Sequence, residues 1–526
     1  MTTPLPNIAG RHTLRAATGL LLALSACTVG PDWQKPSLSI DLAYNGPVGA
    51  VAPSRIAQIA FDPAWWRIFN DPELTSLEER AATSNLDIAI ASADFSASQA
   101  ARRIVAADQY PSSDANASYA RERASPNGVL GLLDTTGSQN TATVANGTPE
   151  FGPAALPGSS GSSAFDLWQY GFDASWELDL WGRVRREVEA ANASVEMSAD
   201  ERRGALVSVQ AETASDYFQL RGLQSEIAIA QQNLGLARHS LALTQIRLSN
   251  GATTNLDVAN AMAQVHAIAA TLPPLQQQEA QMVNALSFIL GKPPRALTAE
   301  LATPTPLPPV PPVIPIGFPS ELAAQRPDIR AAEAKLHETT AEIGVAVADF
   351  YPRITLSGSL DIQALQFGGL DTWASRQYGF GPTISMPLFQ GGRLRGTVKL
   401  RKVQQKKAAI AYQRTVLQAW REIDDAMTAY NAAQNQRTQL QEAVGQNHIA
   451  LAAAQSEYAQ GAADFLNVLE VQNQMLITQR DLIRATTDTD EALVSLYKAL
   501  GGGWQTTFPS LRATGAPPKT LSLATD

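Results

Sequence analysis

Residues 247–258 read RLSNGATTNLDV, and residues 458–469 read YAQGAADFLNVL. In each stretch a helical pattern stops at a glycine, Gly251 or Gly461, and a second helical pattern opens a few residues later. Leu256 and Val258 of the first stretch recur as Leu466 and Val468 of the second, 210 positions further on in both cases. One chain therefore writes the same helix–turn–helix twice, and this duplication organises the rest of the sequence.

The offset of 210 runs from Arg183 and Arg393 through both glycines to Gly291 and Gly501. Upstream, YGFDASWELDLWGRVR (170–185) matches YGFGPTISMPLFQGGRLR (378–395), with two extra residues in the second copy. Further upstream, NLDIAIASADF (85–95) matches RPDIRAAEAKL (326–336), and ADQYP at 107–111 matches ADFYP at 348–352, at an offset of 241. Between the copies lie ten prolines from Pro293 to Pro319. Such a segment reads as a stiff extended connector, neither helix nor central strand. The expected division is a signal peptide (1–26), an N-terminal extended segment (27–73), a first repeat (74–291), a Pro-rich linker (292–319), a second repeat (320–501) and a C-terminal tail (502–526).

Each copy reads as helix, strand, strand, long helix, turn, helix. The stretches from Arg183 to Gly251 and from Arg393 to Gly461 contain no proline. A continuous helix of that length is roughly 100 Å long. In the first, Leu220, Leu223, Ile227, Ala230, Leu234, Ala237, Leu241, Thr244 and Leu248 recur by threes and fours, a left-handed coiled-coil seam. The second seam is interrupted by Arg437 and Asn447. The strands alternate with period two: Trp168, Tyr170, Phe172, Ala174, Trp176, Leu178 and Leu180 against Gln169, Gly171, Asp173, Ser175, Glu177 and Asp179. The second copy sets Tyr378, Phe380, Ile384, Met386 and Leu388 against Gly379, Gly381, Thr383 and Ser385. Strands of this length with one apolar and one polar face fit a transmembrane β-barrel, and a half-buried soluble sheet shares the pattern. The Gly-, Ser-, Asn- and Thr-rich run 126–164 suits an extracellular loop of a barrel. Two hairpins supply four strands, too few for a membrane barrel, and open edges cannot face lipid. The barrel is then shared between chains: two copies give eight strands, three give twelve, and the residues do not choose.

The 526-residue chain has a net charge of −9 and only 17 % charged residues, with no basic footprint for nucleic acid. Beyond the first thirty residues no apolar run is long enough for a membrane-spanning helix. The start differs: Arg11 and Arg15, then AATGLLLAL, then small residues up to Cys27, the only cysteine of the chain. This is a secretory signal, and Leu24-Ser25-Ala26-Cys27 resembles the lipobox of bacterial lipoproteins, in which the cysteine is lipidated. Removing residues 1–26 deletes two arginines and no acid, which takes the charge from −9 to −11. The resemblance also implies sorting to the outer membrane, because Thr28 is not the aspartate associated with inner-membrane retention.

The chain resembles the TolC/OprM-like outer-membrane factors, specifically lipoproteins of the NodT type. The resemblance rests on CTVGPDWQKP after the lipobox, WWRIFNDPELTSL (65–77), WELDLWGR (176–183), LFQGGRLR (388–395) and YKALGGGW (497–504), in this order and with the duplication. It implies a mainly α fold with a shared transmembrane β-barrel: a homotrimer in which twelve strands form one barrel and twelve helices a hollow periplasmic coiled-coil tunnel. It also implies passive conduction of drugs or other small molecules from an inner-membrane resistance-nodulation-division pump, through a periplasmic adaptor protein, to the exterior. Gly251 and Gly461 would mark the hairpin tips where the adaptor docks. An apolar ring and a carboxylate ring closing the aperture map to Leu466 and Glu470, with Leu256 and Asn260 as first-repeat equivalents; Glu470 stands where relatives often have Asp. The competing reading of these two residues is a coiled-coil core position and a solvated helix position.

Nothing in the sequence makes a catalytic or cofactor set. The five histidines (His12, His239, His266, His337, His448) are dispersed, GKPP at 291–294 is not a phosphate loop, and Glu177 and Asp179 read as lumen-facing or turn-forming. The rival functions are a channel for type I protein secretion and a non-conducting lipid-anchored coiled-coil scaffold. The scaffold leaves the alternating strands without purpose.

Overall fold

The structure is a computed structural model that describes residues 28–36, 50–51, 54–57, 59, 62–123, 164–317 and 325–509. The signal peptide, Cys27 and nearly all of the loop 126–164 lie outside the described residues. The elements run, in chain order, β1 (Ala50–Val51), β2 (Ser54–Ala57), a 3-10 turn (Trp65–Phe69), α1 (Pro72–Ser84), α2 (Leu86–Ala107), β3 (Ser112–Glu122), β4 (Phe165–Glu177), α3 (Arg183–Ser249) and α4 (Asn255–Ile289). There follow α5 (Thr298–Leu301), β5 (Val313–Pro315), α6 (Pro327–Ala348), β6 (Arg353–Ala364), β7 (Arg376–Ser385), α7 (Arg393–Ala459) and α8 (Phe465–Leu500). The two long helices α3 and α7 have the same length, 67 residues each. The packing divides the chain into two units.

One unit (1–33, 101–191 and 339–403) is built on a four-stranded antiparallel sheet of order β3-β4-β6-β7. Each repeat supplies one hairpin, and β4 pairs β6 to join them. The register sets Phe172 beside Leu360 and Leu360 beside Tyr378, so one face is apolar. Gly171 stands beside Asp361 and Asp114 beside Asp173 on the polar face. The strands stop earlier than the alternation suggests: Leu178, Leu180, Met386 and Leu388 lie past the ends of β4 and β7. The Leu180 amide bonds back to the Leu178 carbonyl at 2.8 Å, which bends the chain out of the ladder.

The corner between β4 and α3 uses the WELDLWGR motif. Arg183 reaches back to Glu177 with Nε and Nη2 (2.9 and 2.8 Å), and Asp179 accepts from the Arg185 amide at 2.9 Å. The Trp181 indole donates to the Pro352 carbonyl and stacks on Tyr351 at 4.8 Å. Gly182, at φ +81°, is packed against Thr28, so a side chain there would collide with the N-terminal segment. Glu177 and Asp179 are thus corner-forming carboxylates.

The second unit (34–100, 192–338 and 404–526) contains the helical hairpins and the main core. All nine seam positions from Leu220 to Leu248 are buried or half-buried. The core gathers Trp65, Phe69, Leu74, Leu77, Tyr217, Phe218, Tyr430 and Tyr497. Trp65 stacks on Tyr497 (5.3 Å) and Phe69 packs on Phe218 (4.6 Å). Asp71 caps α1 by accepting from the amides of Glu73 and Leu74, and its other oxygen accepts from the Tyr217 hydroxyl at 2.6 Å. The GGGW motif docks the end of α8: the Trp504 indole donates to the Gln325 carbonyl, and the guanidinium groups of Arg203 and Arg330 lie over its ring.

The Pro-rich linker departs from the extended connector expected of it. Its proline-free stretch Thr298–Leu301 forms α5, and Val313–Pro315 pairs in parallel with β2 at one edge of the three-stranded sheet β1-β2-β5. An edge strand needs only one row of ladder bonds, so proline is tolerated there. Leu297, Leu301, Ile314 and Ile316 are fully buried, which makes the segment part of the core.

Candidate functional site

The two glycine turns have one geometry. Gly251 has φ +72°; its amide bonds to the Leu248 carbonyl (2.9 Å) and that of Ala252 to the Arg247 carbonyl (2.8 Å). Gly461 has φ +77°, with bonds to the Tyr458 carbonyl (3.0 Å) and from Ala462 to the Glu457 carbonyl (2.9 Å). This paired pattern satisfies the last helical carbonyls and requires a left-handed residue, which is why both turns carry glycine. The exits differ. Thr254 caps α4 in a reciprocal box with Asp257, and the Thr253 hydroxyl adds a further bond to the same carboxylate at 2.6 Å. Those bonds, the Thr253 hydroxyl first, hold the Asp257 carboxyl below its ordinary range. Asp464, at the same place before α8, makes no side-chain cap.

Around the second turn a small core forms from Ala261, Ala454, Tyr458, Phe465, Val468 and Leu469. Leu466 is not part of it and is 64 % exposed; its first-repeat equivalent Leu256 is 68 % exposed. Glu470 is exposed and Asn260 half-exposed. Within the chain Leu466 therefore lies outside this small core, and Glu470 faces solvent. Leu466 and Glu470, four apart, share one side of α8. The Arg247 guanidinium lies 4.3 Å over the Tyr458 ring, and its Nη1 donates to the Tyr458 carbonyl at 2.7 Å. This tie between the repeats has no local sequence signal. Nor do Pro273 and Pro274, which stand inside α4 where α8 has Ile483 and Arg484.

On the polar face of the large sheet, the Asn116 amide donates to Asp173 and the Gln169 amide to Asp361. Gly171 leaves the space into which the Asp361 carboxylate leans. The apolar face is uncovered, with Phe172, Leu360, Tyr378, Phe380 and Ile384 exposed. Among the described residues no helix is long and apolar enough to cross a membrane. Among them, too, no group of three or more His, Cys, Asp or Glu side chains is placed to hold a metal ion.

A profile described as outer membrane efflux protein matches residues 77–292 and 318–502, one match to each repeat. The chain belongs to the outer membrane efflux protein family. It is 31 % identical over 487 residues to the outer membrane protein OprJ of Pseudomonas aeruginosa, covering 92 % of this chain and 95 % of that one. It is 32 % identical to the pyoverdine export outer membrane protein OpmQ of Pseudomonas putida, covering 93 % and 97 %. The solved outer-membrane channel OprN superposes with a TM-score of 0.79 at 32 % identity, over 91 % of this chain and all of that one. As a member of this family the chain is an outer-membrane protein whose function is efflux, and the family is not one of enzymes. The mainly helical, internally duplicated fold is that of the family's channels.

Proposed function

We propose that the chain is one third of a homotrimeric outer-membrane channel that conducts drugs or other small molecules passively outward. The observation carrying this reading is the large sheet. β3 and β7 each leave an unpaired edge, and the apolar face between them is uncovered. In lipid such edges must pair, and three chains close twelve strands. The polar face with Asp173 and Asp361 then lines the lumen, while the helices extend into the periplasm. Partners are a periplasmic adaptor docking at the tips around Gly251 and Gly461, and an inner-membrane pump of the resistance-nodulation-division class. Cys27 is the lipid anchor, after cleavage of residues 1–26. In support, Thr28 packs at the β4–α3 corner, at the end of a strand and so at membrane level. The repeats, linker and tail follow the divisions 74–291, 292–319, 320–501 and 502–526, with 27–73 as the N-terminal segment.

In this reading Leu466 and Glu470, with Leu256 and Asn260, surround the periplasmic aperture. Three leucines close it with an apolar ring, and three Glu470 carboxylates around a narrow axis attract cations. Planar-bilayer conductance of the purified lipidated protein tests this, with Leu466→Ser/Glu470→Ala beside the wild type. A small cation-preferring current that rises in the variant is expected. No current from either, with correct fractionation and oligomer size, would leave the scaffold. Type I protein secretion uses the same fold; the efflux and export names of the relatives favour small molecules.

A further inference from the structure

The two strand-to-helix corners share a backbone plan but not a charge plan. In the first repeat every early arginine of α3 has a carboxylate: Arg183 has Glu177 and Glu187, Arg185 has Asp179, and Arg186 has Asp32 and Glu189. At the equivalent positions of α7, 210 further on, Glu187 becomes Thr397, Glu189 becomes Lys399 and Asn192 becomes Lys402, while Arg185 stays basic as Arg395. Arg395, Lys399 and Lys402 are all exposed and have no ion-pair partner among the described residues. Spaced four and three apart, they form one stripe on the first ten residues of α7, about 15 Å of helix. Just before them, between the end of β7 and the start of α7, Leu388 and Phe389 are each 88 % exposed and Met386 is exposed as well.

We propose that this corner is a binding surface for anionic phospholipid headgroups in the leaflet on the periplasmic side, which rests on the channel reading above. A strand that crosses the bilayer delivers Met386, Leu388 and Phe389 to the acyl–headgroup boundary, and the cations follow at phosphate depth. Adjacent cations next to a membrane attract anionic lipid additively. The side on which they face is set by the first repeat. Arg186 bridges Glu189 (2.7 Å) and Asp32 (2.5 Å), and Asp32 follows closely on Cys27, whose lipid in the channel reading inserts on the outer side of the barrel. Lys399 occupies the position of Glu189 and so faces outward too. Leu400 and Val403, also exposed, form a separate stripe suited to a neighbouring copy.

The test is native mass spectrometry of the full-length assembled protein with equal phosphatidylglycerol and phosphatidylcholine. Wild type retains phosphatidylglycerol preferentially, by roughly tenfold or more. Arg395→Gln/Lys399→Gln/Lys402→Gln brings the two lipids close to parity, and Arg414→Gln, further down the same helix, leaves the preference intact. If the triple variant does not assemble, Lys399→Glu, which restores the first-repeat charge, carries the comparison and lowers the preference. No preference in wild type, an unchanged preference in the variants, or an equal loss in Arg414→Gln overturns the proposal. So does a triple variant that loses binding to isolated peptidoglycan with its lipid preference unchanged, which makes the stripe a cell-wall contact. Bilayer conductance separates the two readings: a conducting triple variant with wild-type lipid preference removes only this inference, whereas a non-conducting wild type removes the channel.

Discussion

Arg247, in the last turn of α3, clasps Tyr458 at the end of α7, with its guanidinium over the ring at 4.3 Å and a 2.7 Å bond to the Tyr458 carbonyl. The ends of the two long helices are thereby tied within one chain. Arg247→Ala removes a cation–π contact and a charge-assisted hydrogen bond, a loss of about 1–2 kcal/mol. The expected outcome is faster amide exchange around both turns and a larger resting conductance. Arg247→Lys restores little, because a lysine cannot stack and donate in one plane. Unchanged exchange in Arg247→Ala would show that the tie contributes nothing.

The glycines separate backbone strain from crowding. Nothing lies within 4 Å of a Cβ placed on Gly251 or Gly461, so alanine there meets only the left-handed backbone, a cost of about 1 kcal/mol at each. Gly503 has φ +116°, and a Cβ would strike the Gln210 side chain in the core. Gly503→Ala should lower the thermal midpoint clearly more than either tip variant. Equal shifts for all three would contradict this.

Capping distinguishes the two exits. Thr254→Ala should destabilise the start of α4 by about 1 kcal/mol, whereas Asp464→Ala should change little at the start of α8. The Asp257 carboxyl is held below its ordinary value, so the contribution of this cap is present above that value and fades as the pH falls through the depressed one. Amide exchange of residues 255–258, followed with pH, reads both effects.

Asp216 on α3 is partly buried beside Glu212 and Glu491, and burial, then those two charges, push its pKa up to about 6. A raised carboxyl favours the folded state when protonated, so its contribution is full below about 4 and lost as the pH rises through about 6. Asp216→Asn should therefore stabilise the protein at pH 7.5 by about 1 kcal/mol, allowing for solvent screening of a partly exposed site. The gain should disappear at pH 4. Chemical denaturation at the two pH values checks it, and a gain independent of pH would point to packing instead.

Periodic features were readable without coordinates because their cause is local. The seam from Leu220 to Leu248, the alternation of Tyr170 and Phe172 with Gly171 and Asp173, and the glycines at 251 and 461 each follow from the geometry of a single helix, strand or turn. The strand ends differ from the alternation because Leu180 and Met386 continue the hydropathy pattern past the ladder, which on β4 closes with the Leu178 amide on the Ile354 carbonyl at 2.8 Å. The linker was misread because proline content reports what a segment cannot donate, not where Leu301 and Ile314 are buried.

Local pattern and internal repetition established two copies of a hairpin-and-helix plan. The fold alone decided that Arg247 meets Tyr458, that Leu466 stays outside the core, and that Trp504 packs under Arg203 and Arg330. Those pairs are separated by up to 301 residues in the chain, from Arg203 to Trp504. No periodicity carries information over such distances; only the packing of one helix on another brings those side chains together.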